Sequence, residues 1–550
     1  MAFLLTPVLA LGTIALAAAP ASSMKAPMTA TEQALHVLNR LGFGPRPGDV
    51  DRVLAMGVPA YIEQQMAPAG ISDDATTAAL KRFPTLAMTT AELVEKFELP
   101  LREARRQRRM ELAGQDGADL ADEIEAVRQR IPPQNRPRRV LEELTAARIV
   151  RAAQSERQLN EVLVDFWMNH FNVFAGKGLD RVFTTSFERD VIRPRIWGRF
   201  EDMLLATAKS PAMLVYLDNA QSTADEAHRP ARPIPLGRAL YGRGLPGGPA
   251  KKGPAGGLNE NYARELMELH TLGVDGGYTQ TDVTELARIL TGWSVTRPEQ
   301  GGGFVFRAPL HDVGSKSVLG NVFPAGGGIE EGERMIRILA RDPSTARHIA
   351  FQLCQRLVVD VPPPSLVDRV ANTFLATDGD LRATVRSIVT SPEFFDPRYY
   401  RAKVKSPFEY VVSAVRALGA EPDEALPLAR QLVLMGEPLY LCQPPTGYSD
   451  TAEAWVNTGA LLARLNFALR LAAGSLPGTR PDLRRLVSPD NAADSKKSVD
   501  ILACAFLGEN LSAETRQTVG KRLEEQPAPD DSRLAMIAGL ILGSPEFQRQ

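Results

Sequence analysis

The sequence contains few cysteines. Only three, Cys354, Cys442 and Cys504, are spread over 550 residues. None belongs to a C-x-x-C pair, which excludes a disulfide-rich scaffold, a c-type haem attachment and a zinc site built on paired thiolates. Because at most one disulfide could form, we interpret the three residues as small, buried, apolar side chains.

Charge of one sign is not in excess either. The 64 Lys and Arg residues balance 65 Asp and Glu residues, which gives a formal net charge of −1. Such a balance produces no general attraction to nucleic acid or to acidic lipid. The apolar fraction of 44% and the charged fraction of 23% are instead typical of a globular protein.

Long apolar runs are absent after the first residues. The exception is 2–19, which is followed by small residues at 21–23. This arrangement is typical of a secretory signal peptide, which we assign to residues 1–26. No Lys or Arg precedes the run, and a cytoplasmic protein translated from Met24 is the alternative. No later run is long enough to span a bilayer, so we expect no transmembrane span in the mature chain.

The common catalytic motifs are also missing. The sequence has no G-x-S-x-G nucleophile elbow, no phosphate-binding P-loop and no strand-borne G-x-G-x-x-G. It has no H-E-x-x-H and no other local zinc signature. A catalytic or metal site would therefore have to be assembled from distant segments of the chain.

What the sequence does contain is a succession of helical patterns. Between Leu159 and His170, for example, the buried-type residues recur at i, i+3, i+4, i+7, i+8 and i+11, which predicts one buried helical face. The motif S-P-E-F follows an apolar helix twice, from Ser391 and from Ser544, and this repeat suggests two related lobes. Strand patterns are confined to 304–320, where they predict one hairpin.

We therefore predict an all-α fold of two helical lobes with one small β-hairpin arm. The N-terminal lobe covers 29–400 and the C-terminal lobe covers 401–550. Residues 228–257 are rich in Pro, Gly, Arg and Lys and contain no acid, which predicts a mobile basic loop. Its charge could meet an anionic partner, but such composition is common in loops and a solvated insertion is favoured.

The segment Asn259 to Trp293 holds a helix, a turn and a second helix. In the first helix, Glu265 and Glu268 lie three residues apart and share a face, and His270 follows. The plainer interpretation is an amphipathic helix with surface ion pairs and one core histidine. The functional interpretation makes these three residues catalytic in an acid–base or metal site, since buried His and carboxylates are costly unless paired.

Histidine is the commonest metal ligand and a frequent general base. Of the six histidines, His228 lies in the basic loop and is not expected to be a ligand. His170, His270 and His311 are the candidate ligands for a divalent metal of unassigned identity. His311 is followed by an Asp and a Gly, however, and this pattern is equally typical of a turn.

Residues 275–282, D-G-G-Y-T-Q-T-D, are similar to half of a calcium-binding EF-hand loop. The positions that should supply its first acidic ligands are Thr271 and Gly273, so the calcium interpretation fails. Thr279 and Asp282 are better explained as a capping box for the following helix.

Ordered stretches from about residue 30 to the C-terminus resemble the bacterial DUF1800 family of unknown function. They are H-V-L-N-R-L-G-F-G-P from His36, F-W-M-N-H-F-N-V-F from Phe166, G-L-N-E-N-Y-A-R-E-L-M-E-L-H-T-L-G-V-D-G-G-Y-T-Q from Gly257, A-R-I-L-T-G-W from Ala287, H-D-V-G-S-K-S-V-L-G from His311, K-S-P-F-E-Y-V-V-S-A from Lys405 and P-P-T-G-Y-S-D-T-A-E-A-W from Pro444. The resemblance implies a large, mostly helical, often exported protein and no particular reaction. Family members are often found beside an exported sulfatase-like or phosphatase-like protein, which implies a partner of that kind.

Two functions follow from these observations. The first is a periplasmic or secreted protein that acts in the bacterial envelope by binding a partner protein or an envelope component, and the absence of catalytic motifs favours it. The alternative is a metal-assisted hydrolase that uses a His/Glu site. Whether the protein is an enzyme is left undecided.

Overall fold

A computed structural model describes residues 26–111, 120–225, 228–230, 257–526 and 528–550. Within these ranges the protein is mainly helical, with two small antiparallel hairpins, which confirms the predicted fold class. The predicted signal peptide and most of the predicted basic loop lie outside the described residues. None of the described helices is both long and apolar enough to cross a membrane.

The helices fall on either side of the predicted basic loop. Before it, the α-helices are Ala30–Arg40, Asp49–Met56, Val58–Met66, Asp74–Leu80, Thr90–Leu93, Leu99–Glu111, Leu120–Gln129, Arg138–Gln154, Gln158–His170, Asp180–Ser186, Phe200–Ala208 and Pro211–Tyr216, with π-helical turns at Val94–Glu98 and Phe187–Ile192. After it, they are Glu260–Glu268, Gln280–Ile289, Ile329–Ala340, Pro343–Leu357, Pro364–Ala376, Leu381–Val389, Pro407–Ala417, Leu426–Met435, Ala452–Trp455, Thr458–Ala472, Pro489–Ala492, Ser495–Leu507, Ala513–Glu525 and Asp530–Leu542. Short 3-10 turns are Pro68–Gly70, Pro84–Ala87, Pro133–Asn135, Asn219–Gln221, Pro298–Gln300, Ala308–Leu310 and Leu483–Arg485.

Local capping sets several helix starts. The Thr279 hydroxyl accepts a hydrogen bond from the Asp282 backbone N–H, and the Asp282 carboxylate accepts one from the Thr279 N–H. The predicted capping box is confirmed, and it accounts for the acidic residue that made this stretch similar to a calcium loop.

The strands form two antiparallel hairpins. β1 (Trp293–Val295) pairs with β2 (Phe304–Phe306), and β3 (Lys316–Val318) pairs with β4 (Asn321–Phe323). Strands therefore occur inside the predicted arm, but β2 and β3 pair with other neighbours. A two-residue turn at Leu319 and Gly320 explains the second hairpin, because both residues have positive φ, as tight hairpins require.

The two S-P-E-F motifs form the same turn. The Ser391 hydroxyl accepts from the Phe394 N–H at 3.2 Å, and the Ser544 hydroxyl accepts from the Phe547 N–H at 3.3 Å. Both phenylalanines are buried. Each motif thus ends a helix and anchors an aromatic ring, and no α-helix follows directly at either position.

One continuous apolar core extends from Ala34 to Phe547. The buried helix Arg138–Gln154 packs against Pro407–Ala417. Arg416 of the latter helix donates to the carbonyl oxygen of Ala153 at 2.9 Å. These contacts join the two predicted lobes, and the division at residue 400 stays a prediction.

All three cysteines are free, and only two are buried. Cys354 and Cys442 agree with the prediction, whereas Cys504 is exposed and the prediction was wrong there. The helix Ser495–Leu507 turns Val499, Leu502 and Phe506 toward the core and leaves Cys504 outside.

Candidate functional site

Three histidines from distant parts of the chain meet at the end of one helix. His170 ends the helix Gln158–His170, His270 follows the helix Glu260–Glu268, and His348 lies in Pro343–Leu357. The His170 ring centroid lies 6.1 Å from that of His270 and 6.4 Å from that of His348. The structure therefore brings together two of the three predicted metal ligands, with a third histidine that the sequence did not single out.

The hydrogen bonds of this cluster serve the helix Glu260–Glu268. Nε2 of His170 lies 3.3 Å from the His270 carbonyl oxygen, and Nε2 of His348 lies 3.2 Å from that of Leu269. Carbonyls at the C-terminal end of a helix have no partner within the helix. His170 and His348 supply those partners, so both act as caps for the helix that carries Glu265 and Glu268.

Burial keeps the cluster uncharged. It lowers the pKa of His170 well below its usual range, and the neighbouring histidines lower it further. Burial, with a smaller effect of His348, lowers the pKa of His270 to about 3. Nδ1 of His170 lies 2.7 Å from the Gln352 side-chain amide, so both nitrogens of this ring have partners. The two ring nitrogens of His270 are buried and have no hydrogen-bond partner among the described residues.

The predicted catalytic carboxylates lie on the outer side of the same helix. Glu265 and Glu268 are half-buried. The Tyr278 hydroxyl donates to Glu268 at 3.2 Å. Burial and the charge of Glu268 raise the pKa of Glu265. In the described part of the chain, no hydrogen bond or ion pair joins either carboxylate to His270, and their catalytic role stays a prediction.

His311 lies in a different cluster. Its Nδ1 lies 2.8 Å from the Thr291 carbonyl oxygen, and its Nε2 lies 3.2 Å from the Glu331 carboxylate. The same carboxylate accepts from the buried Lys316 ammonium at 2.6 Å. Over the described ranges, no group of three or more His, Cys, Asp or Glu side chains is arranged to hold a metal ion.

A cleft of about 250 Å³ opens beside His170. Its walls come from the helix Gln158–His170, the helix Pro343–Leu357 and the segment 437–451. The side chains that carry its charge are Arg148, Asp165, Arg356 and Asp450.

Two asparagines next to His170 hold the third wall in place. The Asn169 side chain donates to the Tyr448 carbonyl at 2.8 Å and accepts from the Tyr448 N–H at 2.7 Å. Asn172 donates to the carbonyls of Cys442 and Pro444. A Cβ at Gly447 would approach the Asn169 carbonyl oxygen to 2.5 Å, so this close approach requires glycine. The F-W-M-N-H-F-N-V-F and P-P-T-G-Y-S-D stretches therefore meet at the cleft.

The charges of the cleft are paired with one another. Asp165 accepts from Arg148 at 2.5 Å and from Arg356 at 2.9 Å. Arg356 also lies 3.3 Å from Asp450 and 3.0 Å from Glu409, which is buried behind the wall. A buried cation or carboxylate is tolerated only with such partners.

Glu437 supplies a neutral acid to the same cleft. Burial, together with the nearby charge of Asp165, raises the pKa of Glu437 to about 8. Its carboxyl group accepts from the Phe408 N–H at 2.7 Å.

Tyr440, which also lines the cleft, has a φ of +62°, a strained value for a bulky residue. Its hydroxyl donates to the buried Glu188.

Sequence reasoning missed the charged residues of this cleft. Asp450 lies inside a stretch that carries the family resemblance, and Asp165 directly precedes another, so their polar residue types were a usable signal. Arg148 and Arg356 lie in ordinary helical patterns, and no local signal distinguishes them from surface arginines.

Comparison with known proteins confirms the family resemblance found in the sequence. The family model described as "Protein of unknown function (DUF1800)" matches residues 36–549. No curated protein and no solved structure matches the chain. Because the model covers nearly the whole sequence, the chain belongs to the DUF1800 family.

Proposed function

We propose that this protein is a binding protein of the bacterial envelope, and that its cleft holds an uncharged, hydroxyl- or amide-bearing envelope component such as a glycan segment. The observation that carries the proposal is the internal compensation of the cleft charges. Arg148 and Arg356 form ion pairs with Asp165 and Asp450. Glu437, whose pKa is raised to about 8, is neutral below that pH.

This compensation disfavours charged ligands. A phosphate or sulfate would have to compete with Asp165 for guanidinium groups that are already paired, and would leave that carboxylate buried without a partner. A cationic ligand would meet the converse problem. An uncharged ligand can instead use the remaining lone pairs and N–H groups of the lining residues without displacing an ion pair.

The aromatic residues support the same ligand class. The Tyr448 ring, half-buried in the wall, packs on Trp455 at a centroid distance of 6.1 Å, and Phe166 contributes an apolar face. A few fixed polar groups beside apolar surfaces are typical of small-molecule pockets. The volume of about 250 Å³ suits one end of a larger molecule.

The envelope location rests on the apolar run 2–19 and on the family resemblance. We expect a periplasmic or secreted protein, with an exported sulfatase-like or phosphatase-like protein as its partner. Cell fractionation with mass spectrometry of the mature N-terminus tests the location. A protein that starts at Met24 and stays in the cytoplasm would contradict it.

Ligand-observed NMR with neutral oligosaccharides and their sulfated forms tests the cleft. We expect saturation transfer to the neutral forms, and its loss in Thr446→Trp, because Thr446 is an exposed lining residue at the rim. Thr446→Ser is the matched control and should bind as the wild type does. Preferential binding of the sulfated forms, or equal binding by Thr446→Trp, would refute the proposal.

A metal-assisted hydrolase is the second candidate, and one observation favours it. The centroids of the His170 and His270 rings lie 6.1 Å apart, and within the described ranges no side chain or backbone group hydrogen-bonds to the His270 nitrogens. Elemental analysis of the protein beside a His170→Ala/His270→Ala variant tests this candidate. Near-stoichiometric zinc, manganese or iron that disappears in the variant would make it the leading hypothesis.

A further inference from the structure

A groove on the C-terminal part of the molecule leaves apolar side chains in solvent. It is lined by the helix Leu426–Met435, by Arg470 of the helix Thr458–Ala472, and by Leu476 and Pro477, and its volume is about 520 Å³. Leu434 is 68% exposed and Val433 is 57% exposed. Adjacent large apolar side chains with this exposure typically mark an interaction surface.

Two arginines flank these apolar residues and have no acidic partner. Arg430 and Arg470 both line the groove and are exposed. Neither guanidinium takes part in an ion pair or a hydrogen bond with any described residue. No Asp or Glu from the described part of the chain lines the groove. The surface therefore combines exposed apolar side chains with uncompensated positive charge.

This combination differs from that of the cleft. In the cleft every guanidinium already has a carboxylate partner, whereas the groove offers its positive charge to an incoming group. A concave, largely apolar surface along the helix Leu426–Met435 is also a shape that accepts an amphipathic helix. Paired cations beside it favour a helix with carboxylates at the edge of its apolar stripe.

A membrane surface fits less well. Peripheral binding to anionic lipid typically uses clusters of about four to eight Lys and Arg side chains. The groove contributes two, and its most exposed apolar residues lie on a concave surface.

We propose that this groove binds an amphipathic, carboxylate-flanked helix of a partner protein. Leu434 and Val433 contact the apolar stripe of that helix, and Arg430 and Arg470 pair with its carboxylates. The proposal is independent of the ligand in the cleft, because the two sites have no lining residue in common.

Site-specific photo-crosslinking of the full chain in cells of the source bacterium tests this surface. A benzoylphenylalanine replaces Leu434, and the matched control places it at Val361, which is 80% exposed in another region. We expect a protein adduct at 434 and none at 361. Mass spectrometry should place the adduct in a helical segment whose apolar positions are flanked by Asp or Glu.

The charge requirement is tested in the same background. Arg430→Glu/Arg470→Glu should reduce the adduct about tenfold, which corresponds to the loss of one or two favourable charge pairs. Arg430→Lys/Arg470→Lys keeps the charge and should retain most of the adduct. Thermal melting of each variant should match the wild type, since both residues are exposed.

Several outcomes would overturn the proposal. They are no adduct at 434, adducts only with lipid, adducts only with a second copy of this chain, a crosslinked segment without flanking acids, and equal adduct yield in the Glu variant.

Discussion

Two groups of buried charges in this protein are paired by the same chemistry and have different access to solvent. Around Lys316, the ammonium lies 2.6 Å from Glu331, and the Lys316 side chain is wholly buried. Around Arg356, the guanidinium lies 2.9 Å from Asp165 and 3.3 Å from Asp450, whose side chains are 14% and 22% exposed and line a cleft.

The difference separates a structural role from the binding role that we propose. The Lys316 group holds β3 against the helix Ile329–Ala340, because Glu331 of that helix accepts a hydrogen bond from Lys316 of β3. Glu331 also lies within hydrogen-bond distance of His311. The Arg356 group holds a wall that a ligand can reach. A buried histidine or carboxylate is therefore no sign of function until its access to solvent is known.

The largest loss of stability is expected in the group of Lys316, Glu331 and His311, which we call the closed group because its side chains are buried. Glu331→Ala removes the carboxylate that pairs with the buried Lys316 ammonium and lies 3.2 Å from Nε2 of the buried His311, which should reduce the free energy of unfolding by about 3–5 kcal/mol. Chemical denaturation at neutral pH measures the loss, and ligand binding in the cleft should not change. A loss below about 1 kcal/mol would contradict the structural role.

The matched control removes both charges. Lys316→Met/Glu331→Leu replaces the pair by apolar side chains of similar size, and such replacements are often neutral or stabilising. We expect this double variant to recover most of the stability that Glu331→Ala loses.

Arg356, Asp165 and Asp450 line the cleft, and we call them the open group. A substitution in this group should change both ligand binding and stability. Arg356→Lys keeps the charge and loses the planar group that joins Asp165, Asp450 and Glu409, so we expect a loss of about 2–3 kcal/mol and at least about tenfold weaker ligand binding. Arg347→Lys is the control on the same helix, because the exposed Arg347 forms its ion pair with Asp368 and does not line the cleft. Titration calorimetry measures ligand binding by both variants, and chemical denaturation measures their stability. Equal effects of Arg356→Lys and Arg347→Lys would contradict the role given to Arg356.

Local features of this fold could be predicted from sequence, and contacts between distant residues could not. Thr279 and Asp282 lie three residues apart, so their capping box follows from spacing alone. The partners of Asp165 lie 17 and 191 residues away in sequence, in helices whose patterns resemble any amphipathic surface. Likewise, residue type singled out His170, His270 and His311 equally, and only tertiary packing placed the third in the closed group.

The protonation of Glu437 should make the stability of the protein depend on pH. The unfolded chain releases this proton near pH 4.5, whereas the folded chain keeps it to about pH 8. The stability that the neutral acid contributes is therefore complete below about pH 4.5 and is lost as the pH rises toward 8. As the pH rises from 5 to 7, the wild type should lose about 2–3 kcal/mol of unfolding free energy that Glu437→Gln keeps. Parallel stability profiles of the two proteins would contradict a neutral Glu437.

His270 should act in the opposite direction and with a smaller effect. Its folded-state pKa of about 3 lies below its ordinary value of 6.5, so acid protonates the unfolded chain first and wild-type stability falls as the pH drops below about 6.5. His270→Phe removes this proton and keeps an aromatic ring against Phe171, whose ring centroid lies 5.2 Å away. Between pH 6.5 and 5, the variant should lose about 2 kcal/mol less stability than the wild type. Urea denaturation at both pH values measures the difference, and a wild-type acid response in the variant would show that burial does not lower the pKa of this imidazole in the folded protein.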